Sequence, residues 1–170
     1  MPIAFLDVHY HAAGARAACV LAQDWSSPAP LATHVADIAD VQDYEPGAFY
    51  RRELPCLLQV LGLLASPADV LVVDGYAWLL DAPHPGLGAR LYTALGGTTP
   101  VVGIAKTAFR DADDAPTVAR VLRGDSLRPL YVTSVGMPAE VAAGFVRAMA
   151  GEHRIPLLLA AVDRLARSVS

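Results

Sequence analysis

Alternating apolar and polar positions mark the start of the chain. Residues 3–11 alternate with the period of a strand, which places Asp7 and His9 on the face opposite the larger aliphatic residues. A turn at Gly14 leads into a predicted returning strand over residues 15–23, and a third strand ends near Ile38. The pattern therefore predicts an antiparallel meander of three strands.

The centre of the chain carries a run of four apolar residues, Val70–Val73, that predicts a strand buried on both faces. Asp74 ends this run, and Gly75 follows it and allows the backbone to turn. A buried carboxylate without a partner is costly, and in open α/β sheets functional groups gather beyond the carboxyl ends of strands. Asp74 is therefore a candidate site residue, and the alternative is that it caps the next segment.

The remaining patterns alternate between helical and strand periods. A helix is predicted over residues 48–65, starting near Leu54 or kinked there because Pro55 cannot donate a backbone hydrogen bond. The further predicted helices are 87–95, 138–150 and 155–166, and the further predicted strands are 101–105, 118–122 and 130–133. The segment 111–116 is predicted to be a solvated acidic loop. We expect one α/β domain over residues 1–170, with a mixed sheet flanked by helices.

Composition narrows the class of protein. With 54% hydrophobic and 18% charged residues the chain is globular and not disordered. A net charge of −4 argues against nonspecific nucleic-acid binding, although it leaves room for a local basic face. Cys19 and Cys56 have no metal-binding or disulfide spacing and are expected to be core residues in a reducing compartment. No signal peptide or membrane span is evident, so we expect a cytoplasmic protein.

Three acidic residues lie in separate predicted elements. Asp7 is in the middle of the first strand, Glu53 lies near a helix start, and Asp74 ends a buried strand. Carboxylates that meet from several elements suit Mg²⁺ or Mn²⁺, since these hard ions take oxygen ligands, and two such ions can clamp a phosphodiester displacement. For Glu53 the alternative is a favourable charge near a helix N-terminus. Lys106, the only lysine of the chain, ends the predicted strand 101–105.

A series of short motifs in a fixed order runs through nearly the whole chain. The motifs are Phe5-Leu-Asp-Val-His-Tyr10, Tyr44-Glu-Pro-Gly-Ala-Phe-Tyr-Arg-Arg-Glu-Leu-Pro55, Val72-Val-Asp-Gly75, His84-Pro85, Gly103-Ile-Ala-Lys106 and Pro129-Leu-Tyr-Val-Thr133. Together they resemble the endonuclease V family. The resemblance implies a ribonuclease H-like fold and a magnesium- or manganese-dependent endonuclease that cleaves DNA or RNA near deaminated purines, above all inosine, in nucleic-acid repair.

The resemblance also implies roles for individual residues. Asp7, Glu53 and Asp74 match the metal-binding acids of the family, and Lys106 matches its lysine beside the active site. The turn formed by Tyr44, Pro46 and Gly47 matches the wedge that fills the gap left by a flipped base. Gly75, Tyr76 and His84 belong to the segments that approach that base. Tyr76 and Trp78 could stack on a base, but aromatic residues in such a loop are more often packing or interface residues, and His84 between two prolines is more often a fixed loop residue.

Departures from the family pattern leave the function open. Met137 follows Gly136 where a catalytic histidine is expected, and a thioether neither shuttles protons nor binds hard cations well. Gly86 replaces an arginine, and the Asp74–Trp78 loop differs from the family's glycine-rich loop. These changes predict metal binding with slow or absent cleavage of inosine-containing DNA, which Met137→His would raise. His9 or His84 is the alternative catalytic group.

Three functions remain open from the sequence. The first is a metal-dependent endonuclease with divergent substrate choice. The second is a catalytically weakened relative that binds nucleic acid or a protein partner. The third is a small-molecule-binding α/β domain on the same scaffold.

Overall fold

The structure is a computed structural model that describes residues 1–41, 43, 45–46, 48–79, 84–108 and 117–168. The strands are β1 (Ile3–His11), β2 (Gly14–Ala22), β3 (Ala32–Ile38), β4 (Val70–Asp74), β5 (Val101–Ala105), β6 (Ala119–Val121) and β7 (Leu130–Val135). The helices are α1 (Phe49–Leu61), α2 (Leu87–Ala94), α3 (Ala139–Ala148) and α4 (Leu157–Arg167). Each predicted strand and helix within these residues is present, with ends that move by a few positions.

The described strands form one mixed sheet in the order β3-β2-β1-β4-β5-β7-β6. The central strands β1, β4 and β5 are parallel, and the outer strands pair antiparallel. The predicted meander is therefore confirmed as β1, β2 and β3. Parallel pairing of β1 with β4 brings the carboxyl ends of two strands to the same edge of the sheet, next to β5.

Helices cover both faces of the sheet, and alternation along the strands divides the core into two layers. Helices α3 and α4 pack on the face that carries Phe5, Val72 and Ile104. Helices α1 and α2 pack on the other face, against Leu6 and Val73. Because β1 and β4 are covered on both sides, their interior positions are apolar and the first polar side chains appear where the strands emerge.

Helix α1 begins at Phe49, before Pro55, so the predicted start near Leu54 is wrong. The helix contains Pro55, which lies on its exposed face. Glu53 consequently falls in the second turn. The favourable effect of charge at a helix N-terminus fades beyond the first turn, so this alternative does not explain Glu53.

Several predictions fall on residues outside the described part of the chain. They are the wedge residues Tyr44 and Gly47 and the acidic loop 111–116. Within the described residues, no helix has both the length and the apolar character needed to cross a membrane.

Gly103 in the middle of β5 lets the segment after β4 pack directly on the sheet. A Cβ at this position would lie 2.6 Å from the Gly75 carbonyl oxygen and 2.6 Å from the Ala77 nitrogen. The same segment is fixed by a hydrogen bond of 2.8 Å from the Ala77 N–H to Thr133 Oγ1. The close approach at Gly103 therefore sets where the backbone goes immediately after Asp74.

Gly103→Ala should destabilise the protein by about 1–3 kcal/mol, because the added methyl group is forced against backbone atoms that cannot give way. Gly144→Ala is the matched control, since a Cβ at this helical position meets no atom within 4 Å. The control should raise stability by about 0.4–1 kcal/mol. Denaturant unfolding of both variants measures the difference, and equal stability of the two would contradict the packing argument.

Candidate active site

The register of the sheet places the charged residues of the central strands side by side. Leu6 of β1 pairs with Val73 of β4, so Asp7 and Asp74 follow at adjacent positions where the pairing ends. Asp74 in turn pairs with Ile104 of β5. Lys106 lies two residues further along, and its Nζ is 3.4 Å from Asp74 Oδ2. The fold thus brings three of the predicted site residues, Asp7, Asp74 and Lys106, together at one edge of the sheet.

Glu53 reaches the same edge from α1, which packs on the face of the sheet opposite to α3 and α4. Asp7, Glu53 and Asp74 line one cleft of about 190 Å³, together with His9. The three predicted carboxylates therefore face a common space although they come from three elements. Strand alternation accounts for Asp7 and Asp74, and the early start of α1 accounts for Glu53.

Asp163 of α4 is a fourth carboxylate in the cleft that the sequence analysis did not single out. It lies between Val162 and Ala166, on the side of α4 that packs against the sheet, and accepts a hydrogen bond of 2.9 Å from Arg167 Nε. An acidic residue at the border of the apolar stripe of an amphipathic helix is the signal that could have identified it. Arg167 lines the cleft as well.

Burial and neighbouring charges change the protonation of three of these carboxylates, Asp7, Glu53 and Asp163. Burial, followed by the charge of Asp74, raises the pKa of Asp7 to about 7, and burial with the charges of Asp7 and Asp74 raises the pKa of Glu53 to about 7. Burial works against ionisation of Asp163 too, but hydrogen bonds from Arg167 and Asp7 and the nearby cations hold its pKa below the usual value. Near neutral pH Asp7 and Glu53 therefore hold protons in part, and a bound cation would displace them.

The donor set fits a hard divalent cation. All four acidic side chains offer carboxylate oxygens, and their mutual repulsion is what a cation would relieve. Among the described residues, no group of three or more His, Cys, Asp and Glu side chains is gathered closely enough to enclose an ion as it stands. Mg²⁺ commonly uses one or two protein carboxylates and fills its remaining positions with water and phosphate oxygens, so an open cleft suits it better than a closed cage.

The backbone of Lys106 is anchored by Arg154, which lies between α3 and α4. The Arg154 guanidinium donates hydrogen bonds to the carbonyl oxygens of Lys106 and Pro129, the latter at 2.9 Å. The Lys106 side chain is about one-third exposed and points toward Asp74 and not to the opposite edge. The lysine therefore lies beside Asp74, and its place in the site stays a prediction.

The segment after Asp74 is tied to the start of α2. The carbonyl oxygens of Tyr76 and Ala77 accept hydrogen bonds from the N–H groups of Gly86, Gly88 and Ala89, at 2.9–3.2 Å. These N–H groups lack partners within the helix, so the segment acts as its cap. A Cβ at Gly86 would lie 2.5 Å from the Tyr76 carbonyl oxygen, which explains why no arginine stands there.

The predicted substrate-binding residues have different positions. Gly75, with φ of +126°, and Tyr76 line a second cavity beside the cleft, although Tyr76 is only 8% exposed and donates a hydrogen bond of 2.9 Å to the Thr107 carbonyl oxygen. Pro46 is exposed in a turn, and the His84 side chain is exposed at the surface. Trp78 is half-buried and donates to the Ser134 carbonyl oxygen at 3.0 Å, as expected for a packing residue.

The expectation that Met137 occupies a catalytic position is wrong. Strand β7 runs antiparallel to β5, with Val135 opposite Val101, whereas Asp74 pairs with Ile104 at the other end of the same strand. Three residues of strand separate these levels by about 10 Å. Met137 lies beyond Val135 and packs against the core on the α3 side of the sheet. The sequence pattern predicted this strand over residues 130–133 and did not indicate the direction in which it runs in the sheet.

Comparison with known proteins agrees with this geometry. A family model described as endonuclease V matches residues 2–164. An endonuclease V of Nocardia farcinica is 30% identical over 185 residues, covering 98% of this chain and 80% of that protein. An endonuclease V of Xanthomonas oryzae pv. oryzae is 40% identical over 94 residues, covering 54% of this chain but only 37% of that relative.

Solved structures share the fold over almost the whole chain. Human ENDOV superposes with a TM-score of 0.76 at 24% identity, covering 98% of this chain and 82% of that chain. Endonuclease V of Ciona intestinalis, solved in complex with a 24mer DNA containing an inosine followed by a ribo-adenosine, has a TM-score of 0.74 at 17% identity, covering 98% and 84%. The fold is therefore the ribonuclease H-like α/β fold with a mixed sheet flanked by helices. By the match of its sequence, the chain belongs to the endonuclease V family.

Asp7→Asn should stabilise the metal-free protein more at pH 8 than at pH 5. The pKa of Asp7 is raised in the folded state, so wild-type stability from this group is present at low pH and is lost as the pH rises from about 4 to about 7. Asparagine mimics the protonated side chain and does not suffer that loss. Thermal unfolding in EDTA at the two pH values measures the difference.

Asp125→Asn, which changes an exposed carboxylate outside the cleft, is the control and should show the same small effect at both pH values. Addition of magnesium should make the wild type more stable than Asp7→Asn, because the ion neutralises the ionised wild-type carboxylate. A stabilisation by Asp7→Asn that is equal at pH 5 and pH 8 would show that Asp7 is ionised in the folded protein throughout this range.

Proposed function

We propose that the protein is a metal-dependent endonuclease that hydrolyses a phosphodiester bond near inosine in DNA or RNA. The observation that carries the proposal is the meeting of Asp7, Glu53 and Asp74 in one cleft, with Lys106 beside them. Burial and neighbouring acids raise the pKa of two of these carboxylates to about 7, which favours a divalent cation at the site over a structural ion-pair network. Family membership supports nuclease activity on this cleft.

In this proposal the residues of the cleft divide the work. Asp7 and Asp74 hold Mg²⁺ or Mn²⁺, with Glu53 and Asp163 completing the negative surroundings. The bound ion would supply stabilisation of charge on the attacking and leaving oxygens. Lys106 first holds the Asp74 carboxylate in place and can then also donate to a phosphate oxygen, which lowers the cost of bringing an anion into an acidic cleft. His9 lines the cleft and is the imidazole closest to Asp7 in sequence.

The substrate follows from the surroundings of the cleft. The Ciona intestinalis relative is bound to DNA containing an inosine, which supports a nucleic-acid substrate for this chain. A cavity of about 290 Å³ adjoins the cleft through Glu53 and Asp74, so a base could enter it while its phosphate stays beside the carboxylates. Repair of deaminated bases is the process in which such a reaction would serve.

A second candidate function is binding of nucleic acid without efficient cleavage. The tight packing of Tyr76 in the segment after Asp74 favours it, because an altered wall of the cavity changes how a base fits. The other reason for weak catalysis, the methionine at position 137, no longer applies because this residue is far from the cleft.

Cleavage of single-stranded DNA and RNA oligonucleotides with and without one inosine, in manganese or magnesium, tests the function. Wild-type protein should cleave the inosine-containing strands, and Asp7→Asn and Asp74→Asn should abolish cleavage because the ion loses its ligands. Lys106→Ala should reduce the rate by about a hundred-fold or more, as expected for loss of one positioned cationic donor. Manganese binding by wild-type protein without any cleavage would favour the second candidate function.

Met137→His should leave the cleavage rate within about two-fold of wild type, since a change about 10 Å along the sheet from the carboxylates adds no group to the cleft. The same oligonucleotide assay measures it, and thermal unfolding confirms that the variant is folded. A large gain in rate would show that the end of β7 reaches the substrate.

A further inference from the structure

Among the described residues, the cavity beside the carboxylate cleft is lined by one positively charged side chain, that of Arg90, which has no role in the proposed chemistry. Its walls are mainly aromatic and aliphatic, with Tyr76, Leu79 and Leu87 among them. Arg90 of α2 lines the same cavity and is half-buried. Glu53 and Asp74 line the same cavity where it adjoins the cleft, and an arginine in the otherwise apolar wall is suited to a ligand that accepts hydrogen bonds.

A tyrosine holds this arginine in place. The guanidinium carbon of Arg90 lies over the Tyr50 ring, 3.9 Å from the ring centroid. Tyr50 is itself fixed by a hydrogen bond of 3.3 Å from Arg51 Nε to its hydroxyl, and Arg51 pairs with Glu45 at 3.0 Å. A guanidinium that lies over a ring keeps its N–H donors directed outward in its own plane.

The Arg90 guanidinium stacks on Tyr50, but not all of its N–H donors have a hydrogen-bond acceptor among the residues that the structure describes. Arg90 Nε is buried and has no hydrogen-bond partner in the described part of the chain. Burial of a charged donor without an acceptor costs free energy, which stacking on Tyr50 offsets only in part. A ligand that brings acceptor atoms to the guanidinium would therefore bind to a donor group that Tyr50 already holds in position.

We propose that Arg90, positioned by Tyr50, selects a 6-oxopurine in this cavity by donating to its O6 and N7 atoms. This inference rests on the proposed function and names a specificity determinant within it. Arginine makes a bidentate pair with O6 and N7 of guanine, and hypoxanthine, the base of inosine, carries the same two acceptors. Adenine has a donor amino group at position 6, which would face the N–H groups of the arginine and be rejected.

The experiment compares binding of oligonucleotides that differ by single acceptor atoms. Single-stranded DNA carries one inosine, one 7-deazainosine, which lacks the N7 acceptor, or one purine nucleoside, which lacks O6. Affinities of the wild type, Arg90→Met and Arg90→Lys are measured by fluorescence anisotropy in calcium, so that binding is followed without cleavage. Arg147→Met, which removes an exposed arginine from α3, is the control for loss of charge.

Wild type and Arg147→Met should bind the inosine strand about ten-fold or more tightly than the purine strand, and more tightly than the 7-deaza strand. Arg90→Met should bring the three affinities within about two-fold of one another, because no donor is left to distinguish them. Arg90→Lys should keep the charge but recover only part of the preference, since an ammonium group cannot form the bidentate pair.

Two results would overturn the inference while the proposed function stands. One is an unchanged preference for inosine in Arg90→Met. The other is equal weakening of all strands with a salt dependence reduced by about one ion, which would assign Arg90 to a backbone phosphate. Wild-type protein that neither prefers nor cleaves inosine strands would overturn both proposals together.

Discussion

Partial burial and mutual repulsion of carboxylates, at the point where the pairing of β1 with β4 ends, form the constraint on which the site depends. The parallel register puts Asp7 beside Asp74, and α1 and α4 add Glu53 and Asp163 from the two faces of the sheet. The described cations of the cleft, Lys106 and Arg167, are too few to neutralise four acids. The apolar layers thus stabilise the fold, whereas the carboxylates of the cleft by themselves destabilise it. A bound ion would relieve this repulsion and so stabilise the folded state.

The apolar layers explain how the protein tolerates this cleft. Residues of β1 and β4 below the acids are almost completely buried, from Ile3 to Leu6 and from Val70 to Val73. Burial of these strands stabilises the fold and offsets the destabilising effect of the site. The tight packing also keeps the carboxylates from moving apart. The anchoring of the Lys106 backbone by Arg154 serves the same end, because it fixes a cation beside the acids from outside the cleft.

Much of this arrangement was accessible from the sequence because it depends on local rules. Strand alternation placed Asp7, an apolar run placed Asp74, and the motifs pointed to Glu53 and Lys106. Met137 was misplaced because the direction of β7 is decided by pairing with β5, which no local pattern encodes. Asp163 was overlooked because its role depends on where α4 packs, and Arg90 because a single arginine on a short helix shows its partner, Tyr50, only in three dimensions.

The contact between Gly86 and the segment after Asp74 has a consequence for how this protein can evolve. The carbonyl oxygen of Tyr76 occupies the space that any side chain at position 86 would need. The arginine that the family pattern expects at this place therefore cannot be introduced by one substitution alone, since the backbone of the neighbouring segment would have to move first. The two segments form an epistatic unit, in which a change in one is accessible only after a permissive change in the other, and divergence of the cavity becomes hard to reverse.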